Sequence, residues 1–175
     1  MIESGKLNPV FHILCLISIW LAITYCRCWP YAFSAAIWPG TLAHELAHFI
    51  VGWALFARPV FMSVWPRRMP DGAWLYGQVL FTNLRWWNKA PVGLAPLLLI
   101  PIGGWLIWYT VTLATFSWGN LALQFLAVQF LFAAWPSRQD LRHAVTGVLV
   151  TACITMVVYA IMSEVRISVP MTHLS

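Results

Sequence analysis

The chain has 175 residues, of which 61% are hydrophobic and only 9% are charged, and its mean hydropathy is +0.77. An ordinary soluble domain carries about 25% charged residues, so this composition excludes a soluble globular domain and indicates a polytopic membrane protein. The net charge of +5 comes from basic residues that flank apolar runs. Such residues contact lipid headgroups and set topology, so no nucleic-acid partner is expected.

Five apolar runs are predicted to cross the membrane as helices. The predicted spans are residues 9–25, 31–55, 90–115, 121–135 and 145–162. The first run is expected to be a retained span and not a signal peptide, because no small-residue cleavage site ends it. The predicted fold class is therefore an all-α polytopic membrane protein, in which residues 1–175 form a single membrane-embedded domain.

A β-hairpin is predicted between the second and third spans, over residues 58–81. Its arms, residues 60–65 and 74–81, are rich in β-branched and aromatic residues, and the segment 66–72 between them is rich in turn formers. Each arm is apolar but too short to span the membrane as a helix. The hairpin is therefore expected to be associated with the membrane interface.

The basic residues predict an orientation. With five spans, eight of the ten Lys and Arg residues fall on one side, and Arg27 and Arg166 fall on the other. Cytoplasmic loops carry an excess of Lys and Arg. We therefore predict a multi-pass protein of the inner or plasma membrane with a cytoplasmic N-terminus.

The second span contains His44-Glu45-Leu46-Ala47-His48, a His-Glu-x-x-His motif. On a helix, residues four apart lie on one face, about 6 Å apart along the axis, so two imidazoles can share one Zn²⁺. Glu45 lies beside them and can take a proton from water as a general base. Two histidines and a carboxylate are costly in hydrocarbon, so a functional site is expected. The alternative is a hydrogen-bonded polar patch without metal.

A catalytic zinc ion usually has three protein ligands, and few residues of this chain can supply the third. Asp140 is favoured because it follows the helix break at Pro136 on the same predicted side as the motif, where Ser137 can cap a new turn. His143 is an alternative ligand or a partner that orients one. Asp71 is a weaker candidate, since Asp-Gly is an ordinary turn signal. The terminal segments hold three further candidates that we set aside: Glu3, Glu164 and His173.

The remaining residues of metal-binding type are interpreted as structural. His12 is expected at the membrane interface, near the entrance of the first span. The cysteines have neither the spacing of a zinc ribbon nor that of a disulfide framework, so we expect small apolar side chains. They are Cys15, Cys26, Cys28 and Cys153.

These features together resemble the site-2-protease family of intramembrane zinc metallopeptidases. The resemblance covers about residues 39–144: the motif in the second span, the hairpin, the Pro/Gly-containing segment 90–96 and Asp140. In that family an Asp, generally within an Asn-Pro-x-x-x-Leu-Asp-Gly-like motif, completes the zinc site. Here the corresponding element is Pro-Ser-Arg-Gln-Asp at 136–140, without the Asp-Gly signature. It is more similar to compact, divergent members with a Pro-Ser-x-x-Asp pattern.

The resemblance implies hydrolysis of a peptide bond in or beside the membrane. One Zn²⁺ would be held by His44, His48 and Asp140, and Glu45 would be the general base. The expected partners are a membrane protein or peptide substrate and the lipid bilayer.

Three points stay open at the level of sequence. An Asn or Arg could hold the oxyanion, with Asn83 and Asn88 as candidates. The same histidines could instead belong to a membrane-embedded metal-binding or transport protein. A catalytically inactive pseudoprotease that binds membrane partners is the other alternative.

Overall fold

The computed structural model describes residues 9–70, 72–113 and 117–168, without the side chains of residues 9, 161 and 163–168. The described chain is mostly helical. Its helices are α1 (Pro9–Tyr25), α2 (Pro30–Ala54), α3 (Trp86–Leu94), α4 (Leu99–Leu113), α5 (Trp118–Ala133) and α6 (Arg138–Ser168). Its strands are β1 (Pro59–Ser63), β2 (Arg67–Arg68), β3 (Trp74–Leu75) and β4 (Gln78–Phe81). Short 3-10 turns, Cys26–Cys28 and Ala95–Leu98, join α1 to α2 and α3 to α4.

Three helical stretches of the described chain are long and apolar enough to cross a membrane. They are Val10–Cys28, Trp86–Leu113 and Arg138–Ala160, and the shorter α5 is also apolar. These stretches support the prediction of a helical membrane protein. α2 has sufficient length but is not among them, because its two prolines and the His-Glu-x-x-His residues lower its hydropathy.

The predicted hairpin is confirmed. β1 pairs antiparallel with β4, and β2 pairs antiparallel with β3 closer to the tip. The side chain of Asn88, at the start of α3, is fully buried and donates to the Leu55 carbonyl at 3.2 Å and the Asn83 carbonyl at 3.1 Å. These bonds connect the end of α2 and the hairpin to α3, so the hairpin is fixed relative to both helices.

The third, fourth and fifth predicted spans begin later in the chain than their helices, and the fourth, predicted at 121–135, corresponds to α5 at Trp118–Ala133. The sequence predicts the third span at 90–115, but its helix begins at Trp86, because the Asn88 side chain accepts a hydrogen bond from the Arg85 backbone and stabilises an earlier first turn. The predicted fifth span is 145–162, but α6 begins at Arg138. The predicted end of the third span, at residue 115, lies outside the described residues.

α1 and α5 run in the same direction, which corrects the predicted alternation of five crossings. His12 Nδ1 lies 2.7 Å from Gln124 Nε2, and the rings of Trp20 and Phe132 are 5.2 Å apart, so both helices advance together. Five helices that each cross in turn would make the first and fourth antiparallel. α2, which lies between them in the chain, lacks the hydropathy of a span.

His12 is buried between two helices near the start of α1, a setting that the sequence does not predict. Its side chain is 1% exposed and contacts Gln124 between α1 and α5. An imidazole in an apolar helix is costly unless it finds a hydrogen-bonding partner, and the Gln124 amide supplies one. Toward the other end of these helices, an apolar cluster of Ile23, Phe33, Ile37 and Val128 packs α1 and α2 against α5.

Candidate metal centre

His44 and His48 occupy successive turns of α2 and point into the same space. Their Nε2 atoms are 3.2 Å apart. Asp140, from the first turn of α6, joins them: its Oδ1 lies 3.3 Å from His48 Nε2 and its Oδ2 lies 3.6 Å from His44 Nε2. The three side chains that the sequence suggested as ligands therefore lie within contact of one another, although Asp140 is far beyond His48 in the chain.

Backbone carbonyls fix the orientation of both imidazoles. His44 Nδ1 donates to the Ala133 carbonyl at 2.6 Å, and His48 Nδ1 donates to the Val92 carbonyl at 2.7 Å. A carbonyl oxygen can only accept, so each Nδ1 carries a hydrogen, and in the neutral ring Nε2 is left with a free lone pair. This tautomer is the one that a metal ligand needs, and the carbonyls are the kind of outer partner that metal-binding histidines usually have.

Asp140 is held in place by the cap of α6. The Asp140 backbone N–H donates to Ser137 Oγ at 3.2 Å, and the Ser137 backbone N–H donates to Asp140 Oδ2 at 2.8 Å. This reciprocal pair is a capping box with Asp in the third helical position. The sequence predicts the Ser137 cap; the structure shows that the same cap orients the carboxylate toward the histidines.

A close approach of α3 to α6 brings these parts together. A Cβ on Gly93 would lie 2.6 Å from the Asp140 carbonyl and 3.1 Å from the Ala144 backbone nitrogen, so only glycine permits this spacing. The preceding residue, Val92, supplies the carbonyl that binds His48. α3 is therefore the scaffold that positions one histidine and the carboxylate relative to each other.

The donor set fits a small divalent cation. The Nε2 lone pairs of the two imidazoles and the Asp140 carboxylate face a common space. The ligand atoms of these three side chains all lie within 4.8 Å of one another. Ligands at about 2.0–2.1 Å from a tetrahedral zinc ion are about 3.3 Å from one another. The two Nε2 atoms are 3.2 Å apart, close to that value, and each lies 3.3 or 3.6 Å from a different oxygen of the Asp140 carboxylate. Two His and one carboxylate is also a ligand set of catalytic zinc sites.

Glu45 lies against the hairpin beside this cluster. It is 7% exposed, and it is close enough to interact electrostatically with His44, His48 and Asp140. A Cβ on Gly77, in the chain between β3 and β4, would overlap the Glu45 carboxylate. Both Glu45 and Gly77 line a cavity of about 420 Å³ that also contains the three clustered side chains. The cavity walls are α2, α3, the start of α6 and the hairpin.

The other candidates from the sequence have different positions. His143 lines the cavity but is not part of the three-residue cluster. Asn83 and Asn88 donate to backbone carbonyls at the base of the hairpin and do not line the cavity, so neither is positioned to hold an oxyanion there. The cysteines are free and none belongs to the cluster. Asp71, Glu3, His173 and the side chain of Glu164 lie outside the described residues.

Three elements of the site have no counterpart among the sequence predictions: the carbonyls of Val92 and Ala133, and Gly77. A backbone carbonyl carries no residue-type signal, so sequence patterns cannot indicate the first two. Comparison with protein-family models, with curated proteins and with solved structures finds no match to this chain.

Proposed function

We propose that the protein is a zinc metallopeptidase of the membrane, similar to the site-2-protease family, which cleaves a peptide bond in or beside the bilayer. The observation that carries the proposal is the convergence of His44, His48 and Asp140 beside Glu45 in one cavity. A metal-binding protein without catalysis would need the three ligands but not the adjacent buried carboxylate. Glu45 therefore favours the enzyme over the binding or transport alternative.

The ligand residues would hold Zn²⁺ through Nε2 of each histidine and the Asp140 carboxylate. When bound, zinc acts as a Lewis acid toward a substrate carbonyl and lowers the pKa of its water toward neutrality. Glu45 accepts a proton from the attacking water, whose oxygen forms a bond to the carbonyl carbon. Glu45 then gives that proton to the amine nitrogen as the C–N bond breaks, so the carboxylate is regenerated. The Nδ1 hydrogen bonds of the histidines keep both rings oriented through the cycle.

The substrate must reach the cavity as an extended strand, because a helix buries its carbonyls in its own hydrogen bonds. β4 lines the cavity through Gln78, Val79, Leu80 and Phe81. A strand adjacent to the site can bind an extended peptide by main-chain hydrogen bonds. We therefore place the scissile segment between β4 and the ligand cluster.

The test is cleavage of a pool of single-span membrane peptides by the purified full-length chain in neutral detergent. We expect cleavage by protein that holds one zinc ion per chain, loss of cleavage after chelation, and recovery when zinc is returned. Protein that binds zinc stoichiometrically and leaves every peptide in a broad pool intact would refute the proposal. Cleavage that persists in fully chelated protein would also refute it.

Gly77→Ala tests whether the hairpin positions Glu45. The new Cβ overlaps the Glu45 carboxylate, so Glu45 must move, and a misplacement of about 1 Å can lower a rate by about 10²-fold. Zinc content should be unchanged, because the three atoms nearest to a Cβ at Gly77 all belong to Glu45. The matched control is Gly104→Ala in α4, where a Cβ meets nothing within 4 Å. Equal cleavage rates for both variants would show that this contact does not matter.

A further inference from the structure

The part of the cavity outside the ligand cluster and Glu45 is positively charged. Its described walls contain two cations, Lys89 from α3 and Arg67 from β2. Lys89 is half-buried and lies one turn before Val92, whose carbonyl binds His48. Arg67 approaches from the hairpin wall. A peptide bound in this cavity would therefore share it with both cations.

The described carboxylates do not neutralise these cations. Only Glu45 and Asp140 among the described side chains are acidic. Asp140 contacts both histidines and the Ser137 backbone, and Glu45 packs against Gly77. A divalent cation held at the cluster would be balanced by these two carboxylates, so that the described lining would then keep the positive charges of Lys89 and Arg67. A half-buried ammonium group is stabilised most by an anion with which it forms both an ion pair and a hydrogen bond.

We propose that this cavity selects peptides that carry a carboxylate close to the scissile bond, and that Lys89 is its main binding partner with Arg67 as the second. The inference rests on the proposed peptidase function and names its substrate class. The carboxylate can belong to an Asp or Glu side chain or to the C-terminus of the substrate. Both sources present the same planar anion, and experiment separates them.

The test measures binding of fluorescent peptides by anisotropy, using full-length Glu45→Gln protein loaded with zinc in neutral detergent. Peptides are paired: each contains Glu or Gln at a position beside the scissile bond, and each is made with a free or an amidated C-terminus. We expect a Glu peptide or a free-acid peptide to bind about tenfold more tightly than its neutral pair, as one charge-assisted hydrogen bond provides. The pair that shows the difference identifies the source of the carboxylate.

Lys89→Gln should remove this preference, and Lys89→Glu should reverse it toward a peptide with Lys at the same position. The matched control is Arg68→Gln, because Arg68 is the neighbour of Arg67 on β2 but does not line the cavity. Adjacent strand residues point to opposite faces, so Arg67→Gln should weaken the preference and Arg68→Gln should leave it. Zinc content and thermal unfolding are measured for each variant. A Lys89 variant that fails to fold is replaced by Lys89→Met, which keeps an unbranched apolar side chain and removes the charge.

Two results would overturn the inference. One is equal binding of charged and neutral peptides to the unmodified cavity. The other is an equal effect of Arg67→Gln and Arg68→Gln on peptide binding together with weaker binding of phosphatidylglycerol added to the detergent micelles, which would assign these cations to lipid headgroups. Cleavage by the native protein is measured on the same peptides. Equal cleavage of all peptides contradicts only the substrate preference, whereas cleavage of none contradicts the peptidase function itself.

Discussion

Replacement of Glu45 by Gln is expected to lower the rate of peptide cleavage by about 10²–10⁴-fold, which is the usual contribution of a general base. The amide has nearly the same shape as the carboxylate and keeps the packing against Gly77, but it cannot accept a proton from water. Glu45 is not one of the three side chains of the cluster. We therefore expect the variant and the native protein to bind zinc with the same stoichiometry.

The measurement compares the cleavage rate, zinc content and unfolding temperature of Glu45→Gln with those of His48→Ala. The second variant should lose cleavage and zinc together, because it removes a ligand. Near-native cleavage by Glu45→Gln would eliminate Glu45 as the base. Loss of zinc from Glu45→Gln would instead make it a ligand and would redirect the search for a base to His143, which lines the same cavity.

Replacement of Asp140 by Ala is expected to weaken zinc binding by at least about 10²-fold. Removing an outer partner of a ligand already costs about 10–100-fold in affinity, and Asp140 faces both Nε2 atoms directly at 3.3 and 3.6 Å. Without Asp140, the cluster keeps two imidazoles and has no carboxylate. Cleavage at limiting zinc should fall in parallel.

Asp71→Ala is the control for this variant. It removes an acid from the hairpin tip, where the sequence predicts an ordinary Asp-Gly turn. Zinc affinity is measured by competition with a chelator of known affinity, and both variants are compared with the native chain. Equal effects of the two substitutions would contradict the assignment of Asp140 as the third ligand.

The predictions that succeeded depend on signals between residues that are close together in the sequence. The spacing of His44 and His48 follows from the helical repeat, so the sequence is sufficient to predict their shared face. The hairpin follows from two β-branched runs separated by turn formers. The Ser137 cap follows from residue type after Pro136. In each case the signal lies within a few residues of the element that it specifies.

The features that the sequence did not predict depend on packing between distant segments. The sequence neighbours of His12 give no sign of its contact with Gln124, 112 residues away. The alternation of five spans requires every long helix to cross the membrane, whereas the contacts of α1 with α5 show that the two helices are parallel. Helix direction is set by which faces pack together, and hydropathy does not report it.

The sequence by itself therefore determined the chemical inventory of the site: two imidazoles one turn apart, a carboxylate beside them and an acid at a capped helix start. Only the tertiary structure decided that Asp140 meets both histidines, that the carbonyls of Val92 and Ala133 fix their tautomers, and that Gly77 packs on Glu45. The physical reason is that these contacts join separate elements. They involve backbone atoms or a missing Cβ, which have no side-chain signature in the sequence.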